Sequence, residues 1–221
     1  MDSHEALRTE ICRVARSLFE RRYLHGTAGN ISVRLPEGAG FLISPTDACL
    51  GNLQPDRLAQ VDVGGRQLSG DPASKTLTLH RSIYDSDAQA RCVIHSHSTH
   101  LVALTLAGVW SDADILPPIT PYFVMKVGHV PLIPYHRPGD PAAAELVVSA
   151  ITSSRARGVP LRAVMLERLG PNVWGDSPAA ASAILEELEE TARLWLMTDP
   201  RPQTLSDRQI DDLRRQFGIP W

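Results

Sequence analysis

The order of patterned segments predicts an α/β chain in which helices cover a largely antiparallel or mixed sheet. Two observations carry this. Short apolar runs come in pairs joined by glycine turns, at residues 38–40 and at Gly64 and Gly65, as hairpins require. Stretches with apolar residues at helical spacing stand at both ends of the chain and between the runs. Hairpins of this kind argue against a doubly wound parallel sheet, which needs strand and helix to alternate.

Taken in order, Leu7, Ile11, Val14, Leu18 and Phe19 mark an amphipathic opening helix that ends before the glycine-rich loop from His25 to Asn30. Residues 31–35 alternate like a strand, and Phe41, Leu42 and Ile43 form its returning partner. Residues 58–63 and Gln67 with Leu68 make a second hairpin. Leu77, His80, Ile83 and Tyr84 predict a helix capped by Ser74. Cys92, Val93 and Ile94 predict a buried strand that runs into His95, with Ser98 capping a following helix through Leu101, Val102 and Leu104. Residues 130–133 predict a strand stopped by Pro134, and residues 142–151 a helix. A strand over 163–166 is followed by a turn at Gly170 and Pro171. Helices over 179–197 and 207–217 close the chain.

No proline-rich linker divides these elements, so the 221 residues read as one domain over 1–221. A net charge of −3 with interspersed signs argues against a nucleic-acid partner. Cys12, Cys49 and Cys92 are odd in number and widely spaced, which supports free thiols in a reducing compartment rather than a disulfide framework or a four-cysteine zinc site. Residues 1–10 are polar and charged, and no run reaches the length of a membrane span, so the expected address is the cytoplasm with no membrane partner.

The sharpest chemical signal is His95-Ser96-His97. On a strand, positions i and i+2 share a face, so two imidazoles can meet one metal ion. The bland alternative is a pair of half-buried histidines bonded to backbone carbonyls.

The wider pattern resembles the class II aldolase/adducin family over about residues 5–200, leaving 201–221 as a helical tail. The resemblance rests on Thr27-Ala28-Gly29-Asn30-Ile31-Ser32, Ser44-Pro45-Thr46, Ser74-Lys75, the segment from Val93 to His100, and Gly170-Pro171-Asn172-Val173-Trp174-Gly175. Residues 117–122, Val127-Gly128, 134–140 and 185–192 most resemble the 3-oxo-tetronate 4-phosphate decarboxylases, which form dihydroxyacetone phosphate from a phosphorylated β-keto sugar acid. The resemblance implies a three-layer α/β/α fold around a mainly antiparallel sheet and a homotetramer with active sites between subunits. It also implies a small acid or sugar-acid substrate and a divalent metal (zinc, manganese or iron) held by His95 and His97. Asn30, Thr46, Ser74, Lys75 and Arg137 would bind substrate, with Tyr122 as a catalytic proton donor; His100, at the helix start after the motif, is read from its position as a catalytic acid/base group or a hydrogen-bonding partner.

Two positions depart from the family pattern. Leu169 stands where the third metal-binding histidine is usual, and Thr76 where the catalytic glutamate is usual. Leucine ligates no metal, and threonine is no general base near neutral pH without help. Glu167 is a candidate replacement ligand, His80 a packed histidine under the site, Asp47 a carboxylate that repels phosphate, and Arg168 a guanidinium for a carboxylate. Three functions follow as expectations. The first is a divergent lyase acting on a keto acid or sugar-acid derivative by decarboxylation or carbon–carbon cleavage. The second is a repurposed biosynthetic enzyme with isomerase, oxygenase or metal-free acid/base chemistry. The third is a non-catalytic scaffold like the adducin head.

Overall fold

The computed structural model describes residues 3–221. Helix α1 (Ser3–Glu20) leads into strands β1 (Asn30–Arg34), β2 (Phe41–Ile43), β3 (Ala59–Val61) and β4 (Gln67–Ser69). Helix α2 (Leu77–Ser86), strand β5 (Cys92–His95) and helix α3 (Thr99–Ala107) follow. The rest is β6 (Leu132–Ile133), α4 (Pro141–Ala156), β7 (Ala163–Leu166), β8 (Gly170–Gly175), α5 (Pro178–Met197) and α6 (Asp207–Phe217). The strands make one eight-stranded sheet in the order β4-β3-β2-β1-β5-β8-β7-β6. Every pairing is antiparallel except β6 with β7. The predicted class, helices over a mainly antiparallel sheet, is the observed one.

Strand alternation divides the core into two faces. Ile31, Val33, Cys92, Ile94, Met165 and Val173 pack with Ile11 and Leu18 of α1, Leu101 and Leu104 of α3, and Leu185 and Leu188 of α5. Val93, Val164 and Trp174 turn the other way and pack with Ile83 and Tyr84 of α2 and Val147 and Ile151 of α4. The sheet is thus the middle of three layers. Each fully buried Leu, Ile or Val contributes about 1.5–3 kcal/mol relative to exposure, so the two-sided sheet is the main stabilising feature. Cys12, Cys49 and Cys92 are free, and burial raises the Cys12 thiol to about 11.

Four local expectations are corrected. The helix α2 has Thr76, not Ser74, as its N-cap residue; Ser74 closes a preceding turn, its carbonyl accepting from the Leu77 amide at 3.1 Å. The strand expected over 130–133 pairs only at Leu132 and Ile133, because Val130 bonds the loop residues Ile115 and Asp114. The turn expected at Gly170 and Pro171 lies at residues 167–169, and Gly170 already pairs with Leu166.

Ser98 occupies the N-cap position of α3 without capping it. Its hydroxyl donates to the Tyr23 carbonyl at 3.3 Å. The free amides of that helix go to a distant carboxylate instead: Glu189 of α5, 5% exposed, accepts from the His100 and Leu101 amides at 2.9 and 3.0 Å. A buried carboxylate at a helix N-terminus satisfies orphan donors and complements the helix dipole. Glu189→Ala is expected to lower stability in urea denaturation by about 1–3 kcal/mol, with Glu189→Gln recovering part of it.

Candidate functional site

The site is built at one end of the three central strands. Asn30 of β1 and Asn172 of β8 both pair directly with His95 of β5. Directly paired residues share a face, so the three side chains form a row on the side covered by α2 and α4. His95 is 4% exposed, and its Nδ1 lies 2.9 Å from the Pro171 carbonyl oxygen. A carbonyl only accepts, so Nδ1 carries the proton and Nε2 keeps its lone pair.

Two glycines let neighbouring chain segments come this close. Gly29 has φ +90°, and a Cβ there would lie 2.7 Å from the His95 carbonyl oxygen. Gly170 has φ +137°, and a Cβ there would lie 1.9 Å from the Ser96 carbonyl oxygen. Only glycine tolerates both the dihedral and the approach. The second contact sets the start of β8 against the backbone of Ser96 and His97.

His97 lies beyond the end of β5, in the connection to α3, so strand alternation does not place it. It meets His95 all the same: the ring centroids are 4.9 Å apart at 68°. Both rings line a cavity of about 300 Å³. Its lining includes Asn30, Thr46, Ser74, Lys75 and Thr76 together with Leu79, Leu166 and Leu169. Ser74 Oγ and Thr76 Oγ1 are 3.0 Å apart. Arg137 lines the rim with its side chain 73% exposed, and its Nε lies 3.8 Å from the Asp140 carboxylate. Hydroxyls, an amide and a lysine around neutral imidazoles suit an anionic ligand with further oxygens to bind.

The cavity therefore gathers His95, His97, Asn30, Thr46, Ser74, Lys75 and Arg137 from the candidates read in sequence. His100 and Tyr122 do not line it. The His100 Nδ1 is bonded to Glu189 at 2.9 Å, and Tyr122 is 61% exposed. Glu167 does not replace the missing ligand, because its carboxylate accepts from the Tyr135 amide at 2.9 Å and lies outside the cavity lining. Arg168 also lies outside the lining, 3.8 Å from Glu167. His80 is fully buried and bonded through Nδ1 to Ser32 at 2.7 Å. Two residues were missed in sequence. His25 stands edge-on to His97 with centroids 6.5 Å apart, and its only sequence signal is its place in the glycine loop. Asn172, fully buried with neither amide atom bonded, stood in sequence only within the Gly170-to-Gly175 string, because its place beside His95 depends on strand pairing.

The divalent cation implied by the family resemblance can be tested against these donors. Two imidazoles sharing a tetrahedral cation at ordinary zinc–nitrogen distances would have ring centroids about 5 Å apart. The observed 4.9 Å agrees. Leu169 on the same lining ligates no metal, and among the described residues no three His, Cys, Asp or Glu side chains are grouped to hold one. The residues present do not make up a three-ligand site.

Burial lowers both His80 and His95 to about 3, with each further depressed by a neighbouring histidine. Both are neutral in the fold, whereas an unfolded histidine gains a proton near pH 6.5. Their stabilising contribution is therefore whole above pH 6.5 and is lost as pH falls from 6.5 towards 3. Denaturant titrations at pH 7 and 5 are expected to show a loss on the order of 1–2 kcal/mol per histidine; variants with His80 or His95 replaced by Gln should lose correspondingly less. Asn172→Val is expected to raise stability by about 1 kcal/mol, since an apolar side chain removes two unbonded buried atoms. A lower melting temperature would mean that ordered water holds the amide.

Comparison with known proteins bears on the whole chain. A 3-oxo-tetronate 4-phosphate decarboxylase of Cupriavidus necator is 54% identical, with 100% of each chain covered. The protein of that name from Escherichia coli is 40% identical over 95% of this chain and 96% of its own. The crystal structure of YgbL from Escherichia coli, described as a putative aldolase/epimerase/decarboxylase, superposes with a TM-score of 0.85 at 39% identity, covering 96% of this chain and 99% of that one. Residues 9–196 match the model of the class II aldolase and adducin N-terminal domain, and the chain belongs to that family.

Proposed function

We propose that this chain is a divergent class II aldolase-like lyase that decarboxylates a phosphorylated keto sugar acid or a related keto acid. The carrying observation is the convergence of His95 and His97 on the same 300 Å³ cavity as Lys75 and the hydroxyls of Ser74 and Thr46. In this reading Lys75, Ser74 and Thr46 hold the anionic end of the substrate, Asn30 donates to an oxygen beside it, and Arg137 at the rim meets a carboxylate. The His95 Nε2 lone pair accepts a hydrogen bond from a substrate hydroxyl, and His97 lines the same cavity beside it. The relatives named as decarboxylases support this substrate class.

Decarboxylation is favoured over aldol cleavage by what the cavity lacks. Aldol cleavage needs a base to take a hydroxyl proton as the carbon–carbon bond breaks. A β-keto acid loses carbon dioxide once its carbonyl oxygen is met by charge or hydrogen-bond donors, and needs a proton only afterwards. Thr76 provides no base, so the first reaction is the more impaired. Tyr122, exposed and outside this cavity, would act on a second copy of the chain, in keeping with an expected homo-oligomer. The expected address is the cytoplasm, although the structure itself says only that no helix among the described residues is long and apolar enough to cross a membrane.

A second reading, binding without turnover, is favoured by the coincidence of Leu169 and Thr76 on the cavity wall. Incubation with 3-oxo-tetronate 4-phosphate separates the two. Release of carbon dioxide, reduced on the order of 100-fold or more in His95→Ala, is the expected result. Lys75→Ala is expected to weaken binding about tenfold. Saturable binding with no product would establish the second reading.

A further inference from the structure

We infer that His136, held with Arg137 at one anchored carboxylate of the cavity lining, returns a proton to carbon after carbon dioxide has left. This rests on the proposed decarboxylase reading, which leaves that donor unassigned because Thr76 stands where a glutamate is expected. His136 lines the cavity from the connection between β6 and α4, one residue before Arg137. Its Nδ1 lies 4.0 Å from Asp140 Oδ2, and the Arg137 Nε lies 3.8 Å from the same oxygen. Asp140 is fixed by its other oxygen, which accepts from the Ala142 amide at 3.1 Å as the N-cap of α4. One carboxylate thus keeps an imidazole and a guanidinium together.

That placement fits the step. In the proposed reading Arg137 meets the substrate carboxylate, while Lys75, Ser74 and Thr46 hold the far anionic end. The carbon left by decarboxylation is one bond from that carboxylate, so its donor has to stand next to Arg137. The other imidazoles of the cavity are placed less well. The His95 Nδ1 proton is on the Pro171 carbonyl, which leaves Nε2 only a lone pair to offer. His97 faces the His95 and His25 rings and meets no carboxylate at ion-pair distance among the described residues. His136 has neither ring nitrogen hydrogen-bonded among the described residues. Its side chain is 26% exposed, so water can recharge it after each turnover. In the step itself, the bond between the carboxyl carbon and the hydroxyl-bearing carbon breaks, and its electron pair passes to the neighbouring carbonyl oxygen as an enediolate. The pair then returns through the double bond to form a carbon–hydrogen bond with the His136 proton, the carbonyl is restored, and the neutral imidazole regains a proton from water.

The test is turnover of 3-oxo-tetronate 4-phosphate in D₂O by the unaltered chain and by His136→Gln, each checked for folding by thermal melting, with His136→Asn as the second variant where glutamine lowers the melting temperature. Carbon dioxide release is measured together with the configuration of deuterium at the new CHD group of dihydroxyacetone phosphate, read by whether a stereospecific aldolase exchanges the label out. The unaltered chain is expected to place the label in one configuration. The variant is expected to keep releasing carbon dioxide, slowed by less than about tenfold, and to scatter the label equally over both configurations, because water then delivers it from either side. A purely structural role would slow turnover without scattering the label. A single configuration retained in the variant, a scattered label from the unaltered chain, or a larger fall in carbon dioxide release by a variant that melts normally would each overturn the inference and leave the decarboxylase reading standing. No carbon dioxide from the unaltered chain would remove both.

Discussion

The cavity depends on where β5 stops. The strand ends at His95, held between Asn30 on one side and Asn172 on the other, and the His95 ring is tied to the Pro171 carbonyl of the neighbouring strand. That register decides three things at once. It puts His95 on the face covered by α2 and α4, leaves Nε2 without its proton, and releases the chain so that His97 can swing to the same opening. A one-residue slip would turn His95 towards the face where Ile94 now packs and dismantle the site, because side chains alternate with a period of two. The close approaches at Gly29 and Gly170 act as stops against such a slip.

The same packing accounts for Leu169 and Thr76, the two positions where the sequence resemblance leads one to expect polar groups. Leu169 joins the apolar cluster formed by Val164, Leu166 and Trp174, and Thr76 joins a hydroxyl pair with Ser74 at the start of α2. Both side chains suit their local surroundings. Keeping His95 neutral beside a lysine and several hydroxyls costs stability, because its burial in the neutral form appears as acid sensitivity. Retention of such a cost at one cavity is what a binding or catalytic function would require.

Features set by near neighbours in the chain were legible in sequence. The hairpin of β1 with β2 followed from alternating residues around a glycine turn, and the strand over 163–166 from an apolar run of the right length. The pairing of His95 with His97 was visible as a motif. Its geometry was not, since His97 reaches the cavity from a connection rather than a strand. Features set by distant contacts were hidden. Glu189 caps α3 from nearly ninety positions away in the chain, a separation read directly from its bonds to His100 and Leu101. Gly170 joins β8 because it pairs with Leu166, although its local sequence reads as a turn. His100 stood beside the motif as a catalytic group or a hydrogen-bonding partner, and only the fold shows its ring bonded to Glu189.

The most direct test of the central claim, that His95 and His97 together form the floor of an acid-binding cavity, is nitrogen NMR of the two imidazoles in the free and ligand-bound chain. The account predicts that His95 is neutral with its proton on Nδ1 at pH 7, and that 4-phosphoerythronate shifts the unprotonated Nε2 of His95 together with a His97 nitrogen. A His95 protonated on Nε2, or imidazole resonances indifferent to the acid at saturation, would contradict it.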